Sequence, residues 1–460
     1  MRKQILFALC IAAVALTLIA NAADVPACNL ADSRYRGWKS HRLDNGLIAL
    51  QIVPEIGGRI IQFTLGNKEF LWVNPQFAGR LPPPGGLAPD RSWLNYGGDK
   101  LWPAPQGWDN ASQWPGPPGA VLDGEPYTYK PLPIGKAGEA ALCLTSGNDP
   151  QTGIRFSRVI RIYPGTTRVS FDATMTNVDS RPRRWGIWAH TQLTASKPWG
   201  GFNSMLNGWC PLNPKSHFAK GYTVMFGAKD NPSYQLGSLP GLMRVQYQYK
   251  VGKIGLDSTA GWSATVNGRT GAVFAQRFTF NPGTPYPDGS SVEFWLNGLG
   301  KIHAYGREMV MPDDRIKTPY VMESEVLSHF ASLNPGESSS WHYEWAATNI
   351  GGNYPILGCT ACGVVSDPLK AMLNPDHSCQ LRGRFGSFVN GKSRIRFLDA
   401  DGRRLSEIDL PANISPLKPF LLFTSVHASP NASTVELFLV GSADRRMEFL
   451  ARAPLAKRPI

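Results

Sequence analysis

The stretch IRFSRVIRIYPGTTRVSFDATMTN, residues 154–177, decides the fold class. On both sides of Gly165-Thr166, apolar residues alternate with polar ones, which is the period of a β-strand with one buried face. Proline and glycine separate the two runs, as in a turn between neighbouring strands. The stretch therefore predicts a pair of adjacent β-strands.

The same short, punctuated runs continue on both sides of this pair. They include GLIALQIVP and GGRIIQFTLGN upstream, and RRWGIWAHTQL and SSWHYEWAATN downstream. No window shows a helical repeat, and 38 prolines with 47 glycines disfavour long helices. The class is all-β, and so many strands in one continuous block predict a single large sandwich.

The character of the chain changes near Gly351-Gly352-Asn353. The runs that follow are shorter and alternate more regularly, with an Asp401-Gly402 pair typical of a hairpin turn. We therefore predict a large domain over residues 23–350 and a small C-terminal β-sandwich over residues 351–460.

The first residues have the form of an export signal. MRKQ precedes an apolar run over residues 5–19, and Ala20-Asn21-Ala22 matches a cleavage site. We expect residues 1–22 to be a signal peptide and the protein to be periplasmic or secreted. The run is too short to span a membrane, and no other stretch approaches the roughly 20 apolar residues that a span needs.

Charge and cysteines limit the classes of partner. The net charge is +13, but basic residues occur in scattered pairs, which argues against nucleic-acid binding and leaves an acidic glycan or cell surface as a better partner. Cys359, Cys362 and Cys379 with His377 suggest a local disulfide, with zinc as the less favoured alternative. No phosphate loop, nucleophile elbow or HExxH motif is present, so we expect no cofactor and no metal.

Residues 92–119, SWLNYGGDKLWPAPQGWDNASQWPGPPG, place four tryptophans among prolines and glycines without a strand or helix period. Indole rings in such a loop either pack into a small core of their own or line a site. Tryptophan is a platform for the apolar face of a sugar ring. Asn95, Asp99, Lys100 and Asp109 are suited to bind its hydroxyl groups.

Two further segments place chemically active side chains together. If residues 186–193, GIWAHTQL, form a strand, Trp188, His190 and Gln192 share one face. In YVMESEVL, residues 320–327, Glu323 and Glu325 share a face and would raise each other's pKa. A histidine and a carboxylate can exchange protons near neutral pH, although a structurally bonded histidine and a solvated acidic face are the alternatives.

Four segments in order resemble the galactose-mutarotase-like superfamily, and more closely an uncharacterised exported branch of it. They are PEIGGRIIQF, NYGGDKLWPAPQGW, MTNVDSRPRRWGIWAHTQL and MESEVLSHFASLNPGES, and the resemblance covers roughly residues 40–350. It implies a β-supersandwich with a sugar site on its concave face. The tryptophan loop would form one wall, with Asp99, Lys100 and Trp102 facing the cleft and Trp108 and Trp114 anchoring the loop.

The resemblance also implies a chemistry. His190 would protonate the ring oxygen of an aldose and Glu323, or Glu325 one pleat away, would take the proton of the anomeric hydroxyl. A similarity to periplasmic glucan proteins implies an immunoglobulin-like C-terminal domain, and keeps hydrolysis or transfer by Asp99, Glu323 and Glu325 open. Two further hypotheses are a glycan-binding protein without catalysis and an envelope assembly protein.

Overall fold

The structure is a computed structural model that describes residues 26–135 and 137–457. The predicted signal peptide, residues 1–22, lies outside the described residues. No helix in the described part is long and apolar enough to cross a membrane.

Strands provide almost all of the regular structure, and the helical elements are a π-helical turn at Ala120–Gly124 and a 3-10 turn at Pro287–Gly289. The all-β class is thereby confirmed. The strands up to residue 349 are β1 (Asn29–Tyr35), β2 (Trp38–Asp44), β3 (Ile48–Val53), β4 (Arg59–Leu65), β5 (Lys68–Glu69), β6 (Asp99–Ala104), β7 (Thr128–Leu132), β8 (Ala140–Thr145), β9 (Ile154–Ile162), β10 (Val169–Asn177), β11 (Arg183–Thr194), β12 (Leu206–Pro211), β13 (Thr223–Gly227), β14 (Tyr234–Gln235), β15 (Leu242–Gln246), β16 (Gly252–Leu256), β17 (Trp262–Asn267), β18 (Ala272–Phe278), β19 (Val292–Leu296), β20 (Gly300–Ala304), β21 (Arg307–Met311), β22 (Val321–Leu327), β23 (Ala331–Leu333) and β24 (Ser338–Asn349).

Two large sheets and one hairpin contain these strands. A twelve-stranded sheet has the order β1-β2-β3-β4-β6-β11-β22-β19-β16-β13, with β5 added at β4 and β23 at β11. A ten-stranded sheet has the order β14-β15-β12-β17-β18-β24-β10-β9-β8-β7, and β20 pairs only with β21. The strand pair predicted from residues 154–177 is confirmed, because β9 and β10 pair antiparallel along their full lengths.

The two sheets pack face to face through aromatic side chains. The ring centroid of Trp345 on β24 lies 5.7 Å from that of Phe63 on β4 and 4.7 Å from that of Phe171 on β10. Along β9, residues 154, 156, 158, 160 and 162 are buried while the residues between them are not. The alternation in the sequence therefore marks the inner face of a sandwich.

The central strands β11 and β22 are different, because they are buried on both faces over nearly their whole length. One face lies in the core between the sheets. Since the twelve-stranded sheet has its other face outside the sandwich, burial there requires further cover. The loop over residues 92–119 and the β20–β21 hairpin provide part of it.

One prediction about that loop is wrong. Residues 99–104 form strand β6, which lies in the middle of the sheet between β4 and β11. Pro103 within the strand and Gly97-Gly98 before it hide the strand pattern, since both residue types normally interrupt strands. The rest of the segment, apart from isolated bridges such as Gln106 with Trp114, has no strand pairing.

The last part of the chain forms an eight-stranded sheet with its own buried cluster. A second cluster, which includes Trp209, Trp262, Val364 and Phe388, joins it to the ten-stranded sheet. The boundary at residue 351 and an immunoglobulin-like topology stay predictions. The strands are β25 (Gly358–Cys359), β26 (Gly363–Leu373), β27 (Ser378–Ser387), β28 (Gly391–Leu398), β29 (Arg404–Ile414), β30 (Phe420–His427), β31 (Thr434–Gly441) and β32 (Met447–Lys457).

The six cysteines of the described part are free thiols, which corrects the expectation of a local disulfide among Cys359, Cys362 and Cys379. Cys362 and Cys379 are fully buried in the core of the C-terminal sheet. The thiol of Cys362 donates to the carbonyl oxygen of Phe449 at 3.4 Å. These cysteines therefore act as small core residues.

Candidate functional site

A cavity of about 490 Å³ lies on the outer face of the twelve-stranded sheet, over its central strands. Its floor includes Trp188, His190 and Gln192 from β11, together with Glu323 from β22. Ile187 and Ala189 point instead into the core between the sheets, as the alternation of the strand predicts. The cavity walls contain the indoles of Trp72, Trp93, Trp102, Trp108 and Trp295.

His190 and Glu323 form a direct pair on the cavity floor. The distance from His190 Nε2 to Glu323 Oε2 is 2.9 Å, and the side chains are 2% and 11% exposed. The neighbouring Gln192, which is opposite Glu323 in the strand register, donates from Nε2 to Glu323 Oε1 at 2.7 Å. The carboxylate is thus held at both oxygens, with one of them against the imidazole.

Glu325 shares the strand face of Glu323 two residues along β22, but its side chain is fully buried and does not line the cavity. Lys253 Nζ is 3.0 Å from Glu325 Oε2 and 2.6 Å from Glu293 Oε2, and Trp188 Nε1 donates to the same oxygen of Glu325 at 2.8 Å. Since all three charged side chains are at most 4% exposed, they form a buried ionic cluster. Glu325 therefore lies beside the cavity floor within this cluster, and its role as the alternative catalytic carboxylate stays a prediction.

Asp123 on the π-helical turn organises the tryptophan wall. Its carboxylate accepts hydrogen bonds from Trp93 Nε1 at 2.6 Å, Trp102 Nε1 at 3.2 Å and Arg59 Nη2 at 2.9 Å. Lys100 Nζ lies 3.9 Å from the same carboxylate and 4.5 Å from the ring centroid of Trp102. The buried carboxylate of Asp123 consequently fixes the indoles of Trp93 and Trp102 and the guanidinium of Arg59 behind them.

Lys100 is on the cavity side of β6 but is covered by the rings of Trp93 and Trp102, so it does not line the cavity as predicted. Its ammonium group has no hydrogen-bond partner among the described residues. Burial, together with the charge of Arg59, lowers its pKa from 10.5 to about 7. Lys100 is the register partner of His190 and therefore sits beside the His190–Glu323 pair.

The pKa directions of the pair follow from burial. Desolvation lowers the pKa of His190 well below 6.5, and the positive charge of Lys100 lowers it further. Desolvation raises the pKa of Glu323 above 4.5. Both shifts favour the neutral forms, so a proton shared by the pair is drawn towards Glu323.

Asp99 faces the opposite side of the sheet, which corrects the expectation that it faces the cavity. Its carboxylate is 2.6 Å from Arg158 Nη1 and accepts a hydrogen bond from Thr191 Oγ1 at 2.7 Å. Arg158 is on β9 of the other sheet, so this buried pair links the two sheets. The physical reason is the strand: in β6, Asp99 must point away from Lys100 and Trp102.

The other predicted residues are distributed as follows. Asn95 lines the cavity, and the Trp102 ring lies over His190 with centroids 4.1 Å apart. Trp108 also lines the cavity and therefore does more than anchor the loop, whereas Trp114 is 1% exposed and packs into the core. The structure thus places Asn95, Trp102, Trp188, His190, Gln192 and Glu323 around one cavity.

Sequence reasoning missed Arg59, Asp123, Lys253, Glu293 and Trp295. The run VEFWLN of β19 carried a usable signal, because Glu293, Trp295 and Asn297 alternate as Glu323 and Glu325 do. Lys253 stands in an otherwise apolar strand, and Asp123 follows Val121-Leu122. A charged residue within an apolar run can be buried when an oppositely charged side chain lies beside it, and only the folded structure identifies that side chain.

Strand β6 requires the glycine pair that precedes it. Gly97 has φ +90°, and a Cβ there would lie 2.1 Å from the carbonyl oxygen of Trp72. Trp72 therefore approaches the start of β6 closely only because position 97 has no side chain. Its ring becomes part of the cavity wall in this way.

His190, Glu323 and Glu325 offer one ligand atom each within 4.8 Å of one another, which is a spacing that a metal ion could use. The ammonium of Lys253, 3.0 Å from Glu325, already supplies positive charge to this carboxylate. A cation at the three residues would therefore meet electrostatic repulsion. The arrangement is better suited to proton transfer between His190 and Glu323.

Comparisons with known proteins give one matching family and several similar solved structures. Residues 39–207 match a family described as Domain of unknown function (DUF4380). No curated protein matches the chain. Many of the solved structures that match are described as galactose mutarotase-like proteins or putative aldose 1-epimerases, the superfamily that the sequence resembles.

Three of these solved structures illustrate the range of similarity to this chain. A putative aldose 1-epimerase from Klebsiella pneumoniae is 11% identical, with a TM-score of 0.46, over 71% of this chain and 84% of the other. A galactose mutarotase-like protein from Clostridium acetobutylicum is 11% identical, with a TM-score of 0.41, over 70% and 99%. A TPR-domain containing protein from Parabacteroides distasonis is 12% identical, with a TM-score of 0.45, over 70% of this chain and only 49% of the other.

Proposed function

We propose that the cavity binds the ring of an aldose and that His190 and Glu323 transfer protons at its anomeric centre, which is aldose 1-epimerase-type chemistry. The observation that supports this most directly is the 2.9 Å contact between His190 and Glu323 on the floor of a tryptophan-lined cavity. The activity, the substrate and the roles of the residues are proposals.

The cavity has the size and lining that a sugar needs. Its volume of about 490 Å³ falls within the range of roughly 300–1,000 Å³ that is usual for small-molecule sites. Indole faces suit the C–H faces of a sugar ring, and the amides of Asn95, Gln192 and Asn297 suit its hydroxyl groups. The combination suits a polar ring with apolar C–H faces.

Anomer interconversion needs one acid and one base at a single carbon. The ring oxygen and the anomeric hydroxyl are both attached to that carbon, so the two groups must lie side by side. One proton passes to the ring oxygen as its bond to the anomeric carbon breaks. The hydroxyl proton leaves as the carbonyl group forms, and the reverse steps on the other face close the opposite anomer.

The pKa directions favour these two roles in the reverse of the order that the resemblance implies. Because burial favours neutral His190 and protonated Glu323, Glu323 gives its proton to the ring oxygen and His190 Nε2 accepts the hydroxyl proton. On ring closure, His190 Nε2 gives its proton to the carbonyl oxygen, and Glu323 takes back the proton of the ring hydroxyl. The resting state is restored without a proton from bulk water.

Hydrolysis of a glycan is disfavoured by the cavity lining. Glycoside hydrolases generally use two carboxylates that flank the bond to be broken. Glu323 is the one carboxylate among the described residues that line the cavity, because Asp99 faces the core and Glu325 is held by Lys253. An epimerase or a glycan-binding protein fits this lining better.

Polarimetry on a panel of aldoses, with binding measured in parallel by calorimetry, tests the proposal. We expect faster approach to anomeric equilibrium for at least one sugar. Binding without acceleration would favour the glycan-binding hypothesis. Absence of both would refute the sugar site, and co-purification with a partner protein would then favour an assembly role.

We also propose that the protein is exported, on the basis of the signal-like residues 1–22. N-terminal sequencing of the protein recovered from the host's periplasm or medium tests this. A mature chain starting at Ala23 is expected, and an intact Met1 in the cytoplasm would contradict it.

A further inference from the structure

The β20–β21 hairpin forms a wall of the cavity. Its tip is a two-residue turn at Tyr305 and Gly306, with φ of 54° and 71°, as the tight turns of hairpins require. Tyr305 OH donates to the carbonyl oxygen of Pro117 at 2.8 Å, and its ring lies 4.9 Å from that of Trp108. The hairpin is therefore fastened to the tryptophan loop across the cavity.

The two faces of the hairpin have different compositions. Ile302, Ala304, Met309 and Met311 line the cavity. Between them along the strands, Lys301, His303, Glu308 and Val310 are exposed, and Val310 is 66% exposed. The hairpin side chains of the two strands that line the cavity are thus apolar, with exposed Arg307 at the edge of that face, whereas the outward face carries Lys301 and Glu308.

The apolar surface of the hairpin continues onto the part of the twelve-stranded sheet that lies under the cavity. Phe226 on β13 has its ring centroid 5.7 Å from that of Trp295 and 6.1 Å from that of Trp108. These rings pack with Met309 and Met311 in one cluster. Met309 and Met311 are only half-buried, so the cluster keeps an apolar surface open to the cavity.

Several polar groups lie on the central strands of the cavity floor. His190, Gln192 and Glu323 lie on β11 and β22, and the backbone of Gln192 accepts a hydrogen bond from the backbone N–H of Trp72. Asn74, two residues further along the chain, donates to the carbonyl oxygen of Asn95. The cavity therefore combines the polar groups of β11 and β22 with an apolar surface formed by Phe226 and the hairpin, and Lys253 and Lys317 are the lysines of its lining.

We propose that the natural ligand is an aldose that carries an apolar acyl substituent, with the sugar over His190 and Glu323 and the acyl chain along Met309, Met311 and Phe226. This rests on the proposed function. That chemistry needs a free anomeric hydroxyl, so the acyl group is attached elsewhere on the ring, as an ester or an amide. Methionine side chains adapt their shape to flexible chains, which suits an acyl group.

Calorimetric titration of the full chain tests the proposal with matched probes. They are the 6-O-acetyl and 6-O-octanoyl esters of glucose and galactose, the N-acetyl and N-octanoyl derivatives of glucosamine, and 1-octanoylglycerol as a chain without a sugar. We expect at least one octanoyl sugar to bind at least tenfold more tightly than its acetyl counterpart. Burial of the additional methylene groups is the reason.

The variant Met309→Gln/Met311→Gln should remove this advantage, while Val310→Gln, on the outward face of the same strand, should keep it. If the double variant does not fold, Met309→Gln alone serves the same purpose. Acetyl sugars that bind as tightly as octanoyl sugars overturn the acyl proposal and leave the sugar site intact. Binding of 1-octanoylglycerol alone, or of no probe, overturns the sugar site and the acyl-sugar ligand together.

Discussion

The substitution Glu323→Gln should separate proton transfer from sugar binding. The amide has nearly the shape of the carboxylate and can still accept from Gln192 Nε2 and contact His190, so the fold and the cavity should be retained. It cannot give a proton to the ring oxygen. Loss of one general acid usually lowers a rate by about 10²–10⁴-fold, which is ~3–5 kcal/mol in the barrier.

Polarimetry at a substrate concentration above the dissociation constant measures this loss directly. Affinity should change only a few-fold, because the glutamate residue is 8% exposed and most sugar contacts come from indoles and amides. Glu308→Gln is the matched control, since Glu308 is a solvent-exposed glutamate on the outward face of the hairpin. Its rate and affinity should equal those of the unmodified protein.

Two results would refute the reasoning. Full activity in Glu323→Gln would show that the His190–Glu323 pair does not transfer the protons. Loss of affinity in parallel with the rate would show that Glu323 holds the substrate rather than acting as its acid.

Two further predictions concern the buried charges beside the site. Asp99→Ala leaves Arg158 buried without its partner, so the free energy of unfolding, measured by chemical denaturation, should fall by ~3–5 kcal/mol. The control is Asp109→Ala at an exposed position, which should lose less than ~1 kcal/mol. An equally small loss in Asp99→Ala would contradict the placement of Asp99 in the core. Since the pKa of Lys100 is about 7 when folded and 10.5 when unfolded, the unfolded chain binds more protons between these values, and stability should rise with pH there. In Lys100→Met this pH dependence should be absent. The free energy of unfolding of both proteins, measured from pH 7 to 8.5, tests this. Identical slopes would show that burial does not lower the pKa of Lys100. In the same variant, loss of the charge beside His190 should raise the pKa of His190, so the acid limb of its pH–rate profile should move to higher pH.

Local patterns in the sequence were sufficient for the strands that bear the central pair. Alternation in GIWAHTQL and YVMESEVL placed His190 and Glu323 on defined strand faces, because side chains on a strand alternate whatever the partner. The same rule would have sent Asp99 to the core. Pro103 and Gly97-Gly98 conceal strand β6 in the sequence, so the pattern gives no strand face for Asp99.

The buried ionic groups could not be derived in this way. Lys253, Glu293 and Glu325 come from β16, β19 and β22, and Arg59, Lys100 and Asp123 come from three distant segments. Each is an isolated charge in the sequence. Only the order of strands in the sheet brings opposite charges within 4 Å.

The sequence by itself therefore determined the all-β class, the strand faces of His190 and Glu323 and the aromatic character of residues 92–119. The tertiary structure decided which of the aromatic and acidic residues line a cavity, which of them support its floor and which link the two sheets. The physical reason is that alternation along a strand is set by local backbone geometry. The surroundings of a side chain, and with them its burial and pKa, depend on which distant strands lie beside it.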